Sequence, residues 1–267
     1  MDFLAGRRLV VLTGAGLSTD SGVPDYRGPA SPKRTPMTYQ EFVSGPVARQ
    51  RYWARSHLGW SRIGVALPNA GHHALARMEA AGRIDLLVTQ NVDGLHEAAG
   101  SRALALHGRV ADVICLGCRR TSARVALQAR LKALNPGFAA RHADVASRPD
   151  GDVDLEETSS FVVPDCADCG GILKPDVVFF GENVPAARVQ LCYDAVDALA
   201  NGLGTDGALL VAGSSLTVMS GFRFVRRAAR AGTPVVIVNR GATRGDELAT
   251  YTLEVGCSEF LGELASG

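Results

Sequence analysis

The sequence predicts an α/β fold, a doubly wound parallel sheet interrupted by a smaller helical and cysteine-bearing domain. Two observations predict it. Nearly all-apolar runs of strand length recur along the chain, each ending in small or polar residues, with helix-like stretches between them. That is the pattern of parallel strands buried on both faces and covered by helices. Two stretches, 31–70 and 112–173, break the alternation and read as insertions. The length of 267 residues accommodates one large domain with an insertion, or two small domains.

In chain order, Leu9–Thr13 is the first strand and runs into the Gly-rich turn "TGAGLSTDSGVPDYRG". Residues 31–70 carry prolines, aromatics and arginines, including "RQRYWARSHLGW", and read as a mainly helical insertion. His72–Ala81 is helix-like, Asp85–Thr89 is strand-like, and Ala103–Leu106 leads into "LHG". After the second insertion, Val177–Phe180 is a further strand candidate, followed by the strand Ala208–Ala212, the basic-faced helix Phe222–Ala231 and the strand Pro234–Asn239. The sheet domain therefore comprises 1–30, 71–111 and 174–267. Ligands of such sheets bind at the carboxyl ends of the strands. Four polar tails are placed to meet there: Thr13-Gly14-Ala15-Gly16, Thr89-Gln90-Asn91-Val92-Asp93, Ala212-Gly213-Ser214-Ser215 and Asn239-Arg240-Gly241.

Composition narrows the function classes. An apolar fraction of 46% supports a sizeable core, and a net charge near +1 offers no argument for a nucleic-acid or membrane surface. No apolar run is long enough to span a bilayer. The opening Met1-Asp2-Phe3-Leu4 has none of the features of a signal peptide, so a cytoplasmic location is expected. Oligomeric state has no signature in the sequence.

Six cysteines are too few for a disulfide scaffold, but four of them form the pairs Cys115-x-x-Cys118 and Cys166-x-x-Cys169. Two such pairs suit one tetrahedral Zn2+, and with all four positions thiolate no ligand position is left for water, so the metal is structural. Two redox dithiols, or buried apolar cysteines, are the competing reading. Between the pairs lie 47 residues, 119–165, far more than a compact zinc ribbon has. Leu127, Leu131 and Leu134 recur there at helical spacing, on a helix that either packs against the metal lobe or reaches toward the site. The acidic run "RPDGDVDLEE" reads as a solvated loop, and Cys192 as a core residue of a helix.

The glycine turn does not read as a dehydrogenase. The frame Gly14-Ala15-Gly16-Leu17-Ser18-Thr19 has Thr19 where the fingerprint has its third glycine, and no second strand ending in an acid follows. Diphosphate binding at a helix N-terminus still fits.

"GAGLSTDSGVPDYRG", "TQNVDGLH", "LHG", the two cysteine pairs, "KPDVVFFGE", "GSSL" and "VNRG" occur in the order seen in sirtuins, the NAD-dependent protein lysine deacylases. The resemblance runs from about residue 8 to residue 262. "RQRYWAR", "VTQNVDGLHEAAGSR" and "LKPDVVFFGE" look most like class II sirtuins. The resemblance implies a Rossmann-type domain, a small domain of zinc module plus helical insertion, and a cleft between them for NAD and the acyl-lysine of a protein substrate. It places Gly14, Ala15 and Gly16 at the diphosphate, and Asp25, Tyr26 and Arg27 in the cofactor loop. Tyr26 stands where most members have phenylalanine. Gln90, Asn91, Val92 and Asp93 fall at the ribose and nicotinamide. Gly213, Ser214, Ser215, Asn239, Arg240, Gly241 and Cys257 fall on the adenosine side, Cys257 through its backbone. Val178, Phe179 and Gly181 match the strand on which substrate backbone pairs.

The resemblance also makes His107 the catalytic base, with Asn91 beside it, and leaves His96 structural. The acyl oxygen attacks the ribose carbon as nicotinamide leaves, and neutral His107 then takes a proton from a ribose hydroxyl. An imidazole pKa near 6.5 suits that task. The products are free lysine, nicotinamide and O-acyl-ADP-ribose. Tyr52 and Arg55 lie three apart in "RYWAR", on one helical face. They resemble the Tyr-x-x-Arg pair with which class III sirtuins hold acidic acyl groups. A packing tyrosine and a surface arginine are the competing reading. Protein ADP-ribosylation at the same site, and a non-catalytic NAD-sensing module, are the alternative functions.

Overall fold

The computed structural model describes residues 2–25, 36–63, 65–142, 155, 157–200 and 207–267, except for the side chains of 61–63. Among these residues the strands are β1 Arg8–Thr13, β2 Ile84–Thr89, β3 Leu104–Ala105, β4 Gly108–Cys115, β5 Thr121–Ala123, β6 Leu173–Val177, β7 Gly207–Ala212, β8 Val235–Val238 and β9 Tyr251–Leu253. Six of them form one sheet in the order β3-β2-β1-β7-β8-β9, and every pair is parallel. Numbered within the sheet this is 3-2-1-4-5-6, the Rossmann order, with its topological switch point between β1 and β7. The expected strands at β1, β2, β7 and β8 lie within one residue of those found.

The strand period of two explains the layers. Leu9, Val11, Leu87, Leu210 and Val236 point to one face, packed by Leu75 and Met78 of the helix Ala70–Ala80 and by Phe260, Leu261 and Leu264 of the helix Cys257–Ser266. Val10, Leu12, Val88, Leu209, Val211 and Ile237 point to the other. There they meet Val196 and Cys192 of the helix Ala186–Ala200 and Phe224, Val225 and Ala228 of the helix Met219–Arg230. No helix among the described residues is long and apolar enough to cross a membrane.

The other three strands form an antiparallel sheet, β5-β4-β6. Its apolar cluster joins both insertions: Trp53 and Ala54 of the helix Pro46–Ile63 pack with Val113, Leu127, Leu131, Phe138, Phe161 and Leu173. The inter-cysteine helix, Arg124–Leu134, thus packs against the three-stranded sheet and the helix Pro46–Ile63, with Arg124 donating to Ser56 O and Gln128 to His57 O.

Two expectations need correction. Val177–Phe180 is not a strand of the parallel sheet: β6 ends at Val177, pairs antiparallel with β4, and residues 178–180 leave the ladder. Leu134, at the last turn of its helix, is 45% exposed and does not join Leu127 and Leu131 in the core. Most of the acidic run 148–157 lies outside the described residues.

Candidate active site

The site begins at the switch point. Gly14 N–H donates to Ala212 O at 3.1 Å and Gly16 N–H to Gly213 O at 2.8 Å, so the first turn is stitched to the end of β7. Gly213 has φ +68°, and a Cβ on it would lie 2.3 Å from Leu17 N. A Cβ on Gly14 would lie 2.7 Å from Gly213 O. Only glycines permit this approach. It also accounts for Thr19: the close glycine packing comes from β7 rather than from a third glycine in the turn. Thr19 Oγ1 instead donates to Gly16 O at 2.9 Å and closes the turn.

The tail of β2 reaches the same place. Asn91 Nδ2 donates to Gly14 O and to Ser18 Oγ, each at 3.0 Å. Ser18 Oγ–H passes to Asp93 Oδ2 at 2.8 Å, while Asp93 Oδ1 accepts from Leu95 N–H. Both amide hydrogens of Asn91 are thereby committed inside the protein. Ser214 Oγ–H donates to Gln90 Oε1 at 2.6 Å, tying β2 to β7 across β1.

His107 sits between β3 and β4. The next residue, Gly108, turns with φ +80°, and a Cβ there would fall 1.9 Å from Asp176 O, so only glycine joins the two sheets at this point. His107 Nδ1 lies 2.9 Å from Gln90 O. A carbonyl only accepts, so in the neutral ring Nδ1 carries the hydrogen and Nε2 the lone pair. Ser220 Oγ lies 2.7 Å from Nε2. The His107 pKa is not the ordinary imidazole value expected from sequence but lower. Burial is the main cause; the bond to Gln90 opposes it and the Arg188 charge adds to it. His96, by contrast, is buried, with Nε2 2.9 Å from Thr13 Oγ1, as a structural histidine is.

A cavity of about 580 Å³ connects these groups. It is lined by Gly14, Ala15, Gly16 and Asp25, by Gln90, Asn91, Val92 and Asp93, and by His107. Gly213, Ser214, Ser215, Asn239, Arg240 and Gly241 line it from the β7 and β8 side. Val178, Phe179, Gly181, Tyr52 and Arg55 line it from the smaller sheet and helices. Cys257 does not line it: its buried thiol faces Val238 O at 3.6 Å, and burial pushes that thiol up to about 12. Tyr26 and Arg27 lie outside the described residues.

The model of the Sir2 family matches residues 14–220. The chain belongs to the Sir2 family. It is 56% identical to the NAD-dependent protein deacetylase 1 of Mycobacterium avium, over 98% of this chain and 92% of that one. It is 53% identical to the NAD-dependent protein deacetylase of Xanthomonas axonopodis pv. citri, over 97% of this chain and 87% of that one. Among solved structures, a Sir2 with a p53 peptide and NAD+ superposes with TM-score 0.74 at 30% identity, covering 99% of this chain and 95% of that one. Sir2Tm bound to a propionylated peptide gives 0.72 at 29%, with the same coverage.

In this Sir2-family chain the four paired cysteines converge, their Sγ atoms all within 4.8 Å of one another. Cys115 and Cys169 Sγ are 3.5 Å apart, and Cys118 and Cys166 Sγ 4.0 Å. A tetrahedral zinc with about 2.3 Å bonds needs sulfurs about 3.8 Å apart, so the set fits. The Arg120 N–H holds the Cys118 thiol down, to about 6. At Cys169 the Gly171 N–H also favours the thiolate, but the neighbouring Cys115 and Cys118 sulfurs overcome it and the thiol rises to about 11. With all four deprotonated, the set could hold a metal ion.

Ser18 and Ser220 line the cavity and were not singled out from the sequence. Ser18 had a local signal, a polar side chain on the buried side of the first helical turn. Ser220 had none, since 113 residues separate it from the ring it touches.

Proposed function

We propose that this chain is an NAD-dependent protein-lysine deacylase of the deacetylase type. One observation carries the reading: the Nε2 lone pair of a half-buried histidine of fixed tautomer and the Gly14–Gly16–Gly213 cradle line one cavity. The relatives named as NAD-dependent protein deacetylases, and the superposed structures with acyl peptide or NAD+, support it.

NAD+ would supply an electrophilic ribose carbon and nicotinamide as leaving group. The chain's own residues do the rest. The glycine cradle, bare of side chains, would let the diphosphate approach the backbone of the first turn closely. Gln90, Asn91 and Asp93 are oriented by Ser214 and Ser18 before any ligand arrives, which is the positioning a displacement requires. Neutral His107 accepts a proton at Nε2, and Gln90 O steadies the charge that forms through the Nδ1 hydrogen. Phe179, 8% exposed, and Tyr52 give the acyl side an apolar wall that excludes water. Residues 178–181 would pair with substrate backbone, and the β2, β7 and β8 tails would hold the nucleotide. Cys115, Cys118, Cys166 and Cys169 would hold one structural Zn2+ that joins β4 to the strand-and-turn of 166–173. The motifs "RQRYWAR" and "LKPDVVFFGE" support a class II assignment.

The test is incubation with acetyl, propionyl, glutaryl and long-chain acyl-lysine peptides and NAD+, with products read by mass spectrometry. Nicotinamide and O-acyl-ADP-ribose formed together with free lysine are expected. ADP-ribose attached to protein, with the acyl-lysine intact, would replace this reading with transfer to protein. NAD+ bound but unconsumed would make the chain a sensor.

A further inference from the structure

The contact between Ser220 and His107 has a chemical consequence. Ser220 stands in the first turn of the helix Met219–Arg230, is 8% exposed and lines the cavity. Its Oγ lies 2.7 Å from His107 Nε2, the nitrogen that holds the lone pair. Because Gln90 O can only accept, Nδ1 keeps its hydrogen in the neutral ring, and the short contact at Nε2 has one polarity: Ser220 O–H donates and the imidazole accepts. The hydroxyl oxygen retains lone pairs of its own. The base therefore does not meet the cavity with a bare lone pair. It meets it through a serine oxygen.

We propose that Ser220 is a catalytic residue of this chain, the proton carrier between the substrate ribose hydroxyl and His107. The inference rests on the deacylase reading above. In the step, Ser220 Oγ gives its hydrogen to Nε2 while taking one from the ribose hydroxyl. One N–H and one Ser O–H bond form; the old Ser O–H and the ribose O–H break. The ribose oxygen keeps the electron pair and directs it into its new bond with the acyl carbon, whose C=N π pair passes to the lysine nitrogen. Serine ends unchanged and the imidazole ends as a cation, steadied at Nδ1 by Gln90 O. No further reagent is needed. A relay of one hydroxyl is within the reach a general base requires. Gly221, the next residue, lies against the Gln90 side chain: a Cβ there would fall 2.6 Å from Gln90 Nε2.

Ser220→Ala and Ser220→Thr, in the full chain, test the assignment with an acetyl-lysine peptide, NAD+ and labelled nicotinamide. Labelled nicotinamide exchange reports bond cleavage before the base acts; product formation reports the step after it. For Ser220→Ala, deacylation is expected to fall roughly 10- to 100-fold, with exchange and peptide KM within about twofold of wild type, and Ser220→Thr is expected to restore most of the rate. Deacylation kept in Ser220→Ala would show that ribose reaches Nε2 directly and would overturn the proposal. An equal loss of exchange and deacylation, or a threonine that rescues neither, would make Ser220 a packing residue and overturn it too. A wild-type chain that consumes no NAD+ defeats the deacylase reading itself, an outcome separate from these.

Discussion

Lys174 Nζ lies 3.0 Å from Glu182 Oε2, and the same carboxylate oxygen accepts the N–H of Phe179 at 3.0 Å. The ammonium also donates to Val177 O at 2.5 Å and stands 4.7 Å from the centre of the Phe179 ring. The lysine side chain is only 4% exposed. One buried cation thus ties the end of β6, the 178–181 turn and Glu182 together. Other backbone groups of that turn are also engaged, Val178 N–H with His107 O, Phe179 O with Glu182 N–H and Phe180 O with Tyr39 N–H. The turn that would meet substrate is therefore rigid on the side of His107.

Lys174→Met should loosen it. Removing one partner of a buried pair leaves the other short of compensation, here lessened by the partial exposure of Glu182; a loss on the order of 2 kcal/mol is expected. Peptide KM should rise several-fold while nicotinamide exchange at saturating peptide stays close to wild type. Thermal unfolding and steady-state kinetics check both. A stable variant with unchanged KM would separate the ion pair from substrate binding.

His107→Ala should abolish deacylation and leave NAD+ affinity largely intact, because the ring acts after the cofactor is seated. Loss of a general base costs about 10²–10⁴-fold; more than about a tenth of the activity retained would reject the assignment. Since burial holds the pKa of His107 below the ordinary imidazole value, the neutral base persists below that range. The acid limb of kcat/KM should accordingly lie on the acid side of pH 6.5, the ordinary imidazole value.

How much of this was legible in the sequence varies with the range of the interaction. The tails of β1, β2, β7 and β8 were readable because an apolar run ending in polar residues is a local pattern. The convergence of Gly213 on Gly14 and Gly16 was not, since the missing third glycine lies some 200 residues away in the chain, at the end of another strand. Val177–Phe180 misled because its apolar run resembles a buried strand. The ladder ends at Val177 because its partner there, Gly108, is the first residue of β4. Leu134 misled because helical spacing continues to the end of a helix after the partner surface has stopped. Ser220 was beyond local reading altogether.

His72 and His96 predict an acid-sensitive fold. Their rings lie 4.8 Å apart and both side chains are buried. Burial is the main cause that lowers His72 to about 4, opposed by Asp93. Burial likewise lowers His96 to about 3, helped by the neighbouring His72. A histidine whose folded pKa lies below its unfolded value is protonated first in the unfolded chain. Stability is therefore intact above about pH 6.5 and is lost as pH falls from there toward 4 and below. The span for His72 alone corresponds to roughly 3 kcal/mol. Thermal midpoints of the wild type should drop steadily across that window, and His72→Gln should flatten the slope even where it lowers the midpoint at pH 7.5. Equal slopes in the two proteins would assign the acid sensitivity to other groups.

One zinc per chain is expected on metal analysis of purified protein. Cys115→Ser or Cys169→Ser should give insoluble or inactive protein, because each removes a thiolate that helps fold the lobe whose core includes Cys115, Cys166, Val113 and Leu173. Fully active wild type without zinc would reject the site.

The acyl preference turns on Tyr52 and Arg55. Both line the cavity, three residues apart on the helix Pro46–Ile63. Tyr52 is boxed by aromatic rings, 5.3 Å from Phe42 and 5.2 Å from Phe179 between centroids, which is the behaviour of a packing tyrosine. Arg55 is the side chain that would read charge. If it meets the acyl end, a carboxylate there gains a charge-assisted bond. Plain acetyl would not gain that bond. Trp53, buried on the same helix, is fixed by its Nε1 bond to Leu173 O at 3.1 Å, so the helix has little freedom to rotate Arg55 away. The measurement compares kcat/KM for acetyl, glutaryl and long-chain acyl peptides in wild type and Arg55→Met. A fall confined to the glutaryl peptide, by about tenfold or more for a lost charge-assisted bond, supports recognition of acidic acyl groups. A uniform change across the three, or none, makes Tyr52 and Arg55 part of the wall rather than a reader of the acyl chain.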